Sequence, residues 1–396
     1  MEKLKIGEIA TITRGVSYKK DLASKVEKKE YKTLLRANNI NAGCFNFDDL
    51  VFVPSEIVSE DQFVKAGDIV ITMSSGSKAH VGKVALARND MNCTFGAFCA
   101  KITPYKVYPP YLFFALLDSS FRKYIETQCK GTNINNIKQS YILDFKIPVP
   151  SLPAQERIVA RIEELFSQLD AGMETLKTIK AQLAVYRQAV LKEAFSNCTE
   201  KKSIREMSSI VTSGSRGWAK YYSNNGAKFI RIGNLSRNKI FIDLDNIQYV
   251  QLPEKAEGTR TRLKPYDVLV SITADLGSIG LIPNNIGEAY VNQHIAMIRF
   301  NNHEQGEFFA WYLRSEYGQQ DLLKNKRGGG KLGLGLDDIR DSKVPTVSNK
   351  KAKYILSEIE SRLSVCESIE QTVDTALQQA EALRQSILKQ AFEGRL

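Results

Sequence analysis

From Pro153 to Phe195 the apolar positions Ile158, Ile162, Leu165, Leu169, Met173, Leu176, Ile179, Leu183, Tyr186 and Val190 step by threes and fours. That spacing predicts a single helix with one narrow apolar stripe, the seam of a coiled coil. Pro153 suits a first helical turn, where its missing N–H costs nothing, and Gln155 and Glu156 put an acceptor and a negative charge near the positive end of the dipole. The pattern returns from about Lys350 to Phe392 in Ile355, Ile359, Leu363, Cys366, Ile369, Val373, Leu377, Ala380, Leu383 and Ile387. The ends agree almost letter for letter: Arg187, Gln188, Leu191, Lys192, Ala194 and Phe195 reappear as Arg384, Gln385, Leu388, Lys389, Ala391 and Phe392, each 197 positions later. At about 1.5 Å per residue each segment predicts a helix of roughly 60 Å.

The stretches before each helix also repeat, but with the shorter period of strands. IGEIATITRG near the start answers IREMSSIVTSG from Ile204, and LLRANNI (34–40) answers FIRIGNL (229–235). GDIVIT (67–72) answers YDVLVSIT (266–273), VGKVAL at 81 answers LGSIGL at 276, and CAKITP at 99 answers IAMIRF at 295. Short apolar runs bounded by Gly, Asn and Asp predict strands. A short helix is predicted after them in each half, from Tyr111 and from Phe308, then a loop rich in Asn or Gly, then a strand ending in Pro148 or Pro345. The pattern predicts an α+β fold: a globular domain over 1–152, a long helix over 153–197, a second globular domain over 203–349 and a second long helix over 350–396. A domain of this size has a radius of gyration near ~15 Å and cannot carry the chain back along such a helix. The second helix is therefore expected to start where the first ends and return antiparallel, giving a pseudo-two-fold dumbbell.

Charge adds a partner class to this outline. The 396 residues carry a net charge of +11. Residues 1–153 hold 21 basic and 15 acidic side chains, and residues 203–349 hold 19 and 15, so the excess lies in the globular parts. A polyanion would meet those parts rather than the helices, although a surplus of this size is also ordinary solubility charge. The first residues lack the apolar core of a signal peptide and no run approaches a membrane span, so a cytoplasmic protein without membrane contact is expected. The six cysteines show no pair at two-residue spacing, which argues against a disulfide framework or zinc ribbon and predicts small core residues.

Three stretches imitate catalytic motifs. Tyr108, Pro109, Pro110 and Tyr111 resemble the (Asn/Asp)-Pro-Pro-(Tyr/Phe) motif of amino-methyltransferases, but the amine acceptor is absent, and the prolines fit a helix start. Gly328, Gly329, Gly330 and Lys331 lack the flanking Gly and Ser or Thr of a phosphate loop, having Asn325 and Leu332 there. His80, His294 and His303 have no Cys or carboxylate at ligand spacing, so no metal site is expected. No nucleophile, base and orienting acid stand at recognisable spacing.

The loops offer polar and aromatic reach instead. Arg14, Ser17, Tyr18, Lys19 and Lys20 match Arg216, Trp218, Lys220, Tyr221 and Tyr222 after the first strand of each half. Ser74, Ser75, Ser77, Lys78 and His80 match Thr273, Asp275 and Ser278, while Lys130, Thr132, Asn133, Asn135 and Asn136 match Arg327 and Lys331. Arg and Lys suit guanine, Asn suits adenine, and hydroxyls and Lys suit phosphate. Any one of them is also ordinary turn or surface chemistry; their pairing in both repeats marks them as a set.

IPVPSLPAQERIVARI (147–162) running into the first long helix, the paired endings RQAVLKEAF and RQSILKQAFEGRL, and the loop GTNINNI before a Pro-ended strand together resemble the DNA-specificity subunit of type I restriction-modification systems. The resemblance spans essentially the whole chain and departs from the family pattern at GGGKLGLG (328–335) and at the start of the second helix, where no proline precedes Lys350. It implies two target-recognition domains, each reading half of an asymmetric, bipartite site in double-stranded DNA. It implies also that the helices fix the spacer and dock two modification subunits, with restriction (translocase/nuclease) subunits joining the full complex. S-adenosylmethionine is then expected on the modification subunits and no cofactor on this chain, which would be non-catalytic. The alternatives are a self-contained DNA methyltransferase or nuclease, which the missing motifs disfavour, and a coiled-coil scaffold for protein partners, which the basic globular parts disfavour.

Overall fold

Alternation along the strand Ile69–Thr72 decides how the first globular part is layered: Ile69 and Ile71 point into one core and Val70 into another, as the two-residue period of a strand requires. The computed structural model describes residues 2–41, 43–76, 80–128, 136–236, 239–253, 259–324 and 333–396. Its contacts gather into two units, residues 1–176 with 375–396, and residues 177–374.

In the first unit a four-stranded antiparallel sheet runs in the order Ala10–Arg14, Cys99–Pro104, Ile69–Thr72, Val84–Leu86. Both its faces are covered, which is why all four residues of Ile69–Thr72 are buried rather than alternating with exposed positions. One face packs on Leu112 and Leu116 of the helix Pro109–Leu117. The other packs on Leu35, Cys93 and Phe95 of a three-stranded sheet, Val51–Pro54, Tyr31–Leu35, Cys93–Phe95, whose second pair is parallel. Lys3–Lys5 pairs with Lys146–Pro148 and closes the globular part. The loop before Ile69–Thr72 holds a buried ion pair. Asp68 lies 3.1 Å from Lys101, with both side chains less than one-tenth exposed, and also accepts from Lys65 N and Thr103 Oγ1.

The second unit repeats this order in Ser208–Ser213, Ile295–Phe300, Val268–Ser271 and Ile279–Leu281. Val268 and Val270 face the helical core, and Leu269 faces the second sheet. That sheet has four strands, Tyr222–Ser223, Gln248–Val250, Ala227–Ile230 and Ala289–Val291. Lys201–Ser203 pairs with Lys343–Pro345. Asp267 takes the place of Asp68 and accepts both Nε and Nη2 of Arg299, at 2.8 and 2.6 Å.

Where one short helix was expected in each half there are two, Pro109–Leu117 and Ser119–Gln128, then Gly306–Arg314 and Glu316–Leu323. Asp118 and Ser315 break them. Both have extended backbone, and each side-chain oxygen caps the next helix by accepting from Ser120 N or Gly318 N. Pro109 and Pro110 do open a helix. Tyr111 beside them is buried and donates to Pro148 O, so this stretch is consumed by packing and could not receive a base.

The long helices are Leu152–Phe195 and Asn349–Phe392. Within the second unit they run antiparallel, since Lys180, Arg187 and Glu193 of the first pair in turn with Asp374, Glu370 and Arg362 of the second. Within the first unit Arg384 pairs with Asp170 and lies 4.4 Å over the ring of Phe166. The predicted stripe is the least exposed face for most of its length, with Ile162 and Val190 fully buried. Tyr186, Ile369 and Leu383 depart from it and stand in solvent; beside Tyr186 the seam is occupied by the half-buried Arg187–Glu370 pair. Val159, Phe166 and Leu191 are buried off the stripe, because the globular parts cover a second side of the helix. Cys93, Cys99, Cys198 and Cys366 are core residues as expected, but Cys44 is exposed and Cys129 lies outside the described residues.

Candidate nucleic-acid interface

At one end of the four-stranded sheet of the first unit, four stretches of chain are laced by backbone hydrogen bonds. The chain leaving the first strand approaches the turn 96–99 through Gly15 N to Cys99 O and Val16 N to Phe95 O, at 3.2 and 2.7 Å. A Cβ on Gly15 would lie 2.2 Å from Gly96 O, so only glycine admits that approach. The turn is closed by Cys99 N to Gly96 O, and its third residue accepts from Met73 N through Phe98 O. Beyond Met73, Ser74 forms an isolated antiparallel bridge with Asn136, and Ile137 N donates to Met73 O.

The second unit builds a matching frame from other residues, except that its glycine N–H reaches the first residue of the turn instead of the last. Gly214 N donates to Asn292 O, and a Cβ there would sit 2.0 Å from Val291 O. Ile295 N closes the turn on Asn292 O, Ile272 N donates to His294 O, and Leu334 N donates to Ile272 O. Thr273 bridges Gly333 as Ser74 bridges Asn136.

In the first unit this end opens as a cleft of about 1070 Å³ walled by Tyr18, Lys20, Arg36, Ser74, His80 and Phe98, with Ser17 and Ser75 also on its lining. The frame thus brings together the candidates Ser17, Tyr18, Lys20, Ser74, Ser75 and His80, and sets the exposed Asn136 beside Ser74. Arg14 and Lys19 are exposed but outside the cleft lining. The inner face of Tyr18 rests on a small core of Val16, Leu34, Val51 and Val53. His80 Nδ1 is buried with no partner among the described residues. Cys99 also contributes to the lining, but it is fully buried, and burial pushes its thiol up to about 12, which keeps it protonated. Ser77, Lys78, Lys130, Thr132, Asn133, Asn135, Arg327 and Lys331, and the glycine run from Gly328, lie outside the described residues.

In the second unit Arg216, Lys220 and Tyr222 are exposed, and Lys220 lies 4.9 Å over the ring of Tyr221. Two expectations are corrected. Trp218 is not a surface aromatic: it is 4% exposed, stacked on Phe229 at 5.5 Å and edge-on to Tyr290. That pocket is apolar enough for burial, reinforced by a hydrogen bond to Glu288, to raise the Tyr290 phenol. Ser278 is buried as well, its hydroxyl donating to Asp275 at 2.6 Å and its N–H to Ser271 Oγ, because it closes the turn before Ile279–Leu281. Thr273 Oγ1 sits 2.8 Å from His294 Nδ1.

The cleft also uses residues that sequence reasoning passed over. Arg36 reaches its wall while donating to the carbonyl and carboxylate of Asp49, and Arg231 occupies the same place in the second repeat, each followed three residues on by a buried Asn that accepts its N–H. That coincidence was visible in LLRANNI and FIRIGNL. Phe98 and His294 were signalled only by their shared position before the strands Cys99–Pro104 and Ile295–Phe300.

A family model described as the type I restriction modification DNA specificity domain matches residues 1–184 and again residues 199–379. The chain belongs to this family. It is 32% identical to the type I restriction enzyme StySPI specificity subunit of Salmonella potsdam and 30% identical to the EcoKI specificity subunit of Escherichia coli K12, in each case over 99% of this chain and 88% of the relative. Among solved structures, a chain from work on complex assembly and conformational transition of the type I R-M system superposes with a TM-score of 0.73 at 15% identity, covering 100% of this chain and 98% of that one. The HsdS subunit from Thermoanaerobacter tengcongensis gives 0.52 at 15% identity, with 100% and 97% covered. These likenesses show that the specificity-subunit fold, two α+β repeats with long helices, is the fold of this chain. Among the described residues no group of His, Cys, Asp and Glu is gathered to hold a metal ion, and no helix is long and apolar enough to cross a membrane.

Proposed function

We propose that this chain is the DNA-recognition subunit of a type I restriction-modification complex, itself non-catalytic. Each globular part, 1–152 and 203–349, reads one half of an asymmetric bipartite site in double-stranded DNA. The long helices, 153–197 and 350–396, set the spacing between the halves and dock two modification subunits, which supply S-adenosylmethionine and methylate adenine; restriction subunits complete the assembly in the cytoplasm. One observation carries this reading: the same backbone frame is built twice, and the side chains it presents differ. A repeated frame with divergent loops suits two readers that dock alike and read different bases.

The contact set comprises Arg14, Ser17, Tyr18, Lys19, Lys20, Ser74, Ser75, His80 and Asn136 in the first half, together with Ser77, Lys78, Lys130, Thr132, Asn133 and Asn135, which lie outside the described residues. In the second half it comprises Arg216, Lys220, Tyr221, Tyr222 and Thr273, with Arg327 and Lys331. Trp218 and Ser278 support the frame. Sequencing of methylated adenines in cells with and without the gene tests the reading, and replacing residues 1–152 by those of a relative should alter one half-site alone. Simultaneous change of both halves would refute independent readers.

A further inference from the structure

The two frames differ in chemistry at the turns that lead into Cys99–Pro104 and Ile295–Phe300. Phe98 and His294 occupy the same place: each turn closes by the same bond, Cys99 N to Gly96 O and Ile295 N to Asn292 O, and each third residue accepts a strand-end N–H, from Met73 at 2.8 Å or Ile272 at 2.9 Å. The backbone is thus held whatever side chain the turn carries. Phe98 is 69% exposed and belongs to no core cluster, yet it stands on the cleft wall beside Lys20, Arg36 and Ser74. His294 is held on both ring nitrogens, 2.9 Å from the side-chain amide of Gln293 and 2.8 Å from Thr273 Oγ1. The amide of Gln293 and the hydroxyl of Thr273 each have hydrogen-bonding capacity beyond that one contact.

We infer that residue 98 and its counterpart 294 choose bases in the two half-sites. Phe98 takes a thymine methyl group in the major groove, and the Gln293–His294–Thr273 set hydrogen-bonds a base edge. This rests on the DNA reading above and adds which residues discriminate. A phenyl ring has no donor or acceptor for phosphate, so it adds little to sequence-independent binding, and the one apolar group that base edges present in the major groove is the thymine methyl.

The full chain, assembled with its modification subunits, is offered a library of split duplexes before and after Phe98→Ala, Phe98→Leu and His294→Phe. Phe98→Ala should weaken preference for thymine at one position of one half-site by about tenfold, the scale of one mismatched pair, and leave the other half unchanged. Phe98→Leu, which keeps an apolar contact and guards against misfolding, should retain the preference. Replacing that thymine by uracil, which deletes only the methyl group, should cost the unaltered protein the same factor and Phe98→Ala nothing. His294→Phe should change the other half-site alone. The inference is overturned if Phe98→Ala selects the same sequences, weakens all duplexes equally, or responds to uracil as the unaltered protein does. Selection of no split site by the unaltered protein would instead remove the DNA reading itself.

Discussion

Two kinds of charged residue do opposite work in the globular parts. Lys20 and Lys220 are exposed, and a lysine facing phosphate should act on every duplex alike. Replacing either by alanine should weaken binding without changing the selected sequence and reduce the salt slope by about one unit, measured from affinity at several salt concentrations. Asp68 is structural: it neutralises Lys101 in a site closed to water. Its replacement by alanine leaves a buried ammonium unpaired and should cost about 3–5 kcal/mol, read as a lowered urea midpoint of the first unit. Asp267→Ala should do the same beside Arg299. Buried carboxylates of this kind were invisible in the sequence, where Asp68 and Asp267 look like turn residues, because the partner comes from a strand about thirty residues away. Trp218 misled for the converse reason: a loop position does not reveal that Phe229 and Tyr290 fold over it.

The elements were far more legible than the residues, because a strand or helix announces itself by period and a contact does not. The strands around Ile69, Cys99, Val268 and Ile295 lie inside the runs that predicted them, and both long helices start within a residue or two of their expected first turns. What periodicity could not give was the second buried side of the helix at Val159 and Phe166, which depends on what packs there. Nor could it give the breaks at Asp118 and Ser315, where a side-chain cap competes with helix continuity. Gly15 and Gly214 link element to site, since each lets a strand end touch the neighbouring turn. Gly15→Ala should force that contact apart, lowering the thermal midpoint of the first unit and blurring selection in its half-site while the other half keeps its sequence. Gly214→Ala should show the mirror-image result in the same assays.

At the scale of the whole chain, the first unit is discontinuous in sequence and the second is not. Ile387, Leu388 and Ala391 lie in the same core as Ile69 and Leu112, and Phe392 meets Tyr111 edge-on at 5.1 Å. Deleting residues 375–396 should therefore open the first unit, seen as loss of amide-exchange protection in its sheet, and leave protection in residues 177–374 largely intact. The same feature governs birth on the ribosome. Residues 1–176 emerge before residues 375–396, which are made roughly 200 codons later, and at about 5–20 residues per second that is a delay on the order of tens of seconds. Through that interval the apolar surface that Ile387 and Leu388 cover is open to water and to wrong partners, and translation that stops short of residue 375 leaves the unit begun first as the one unfinished.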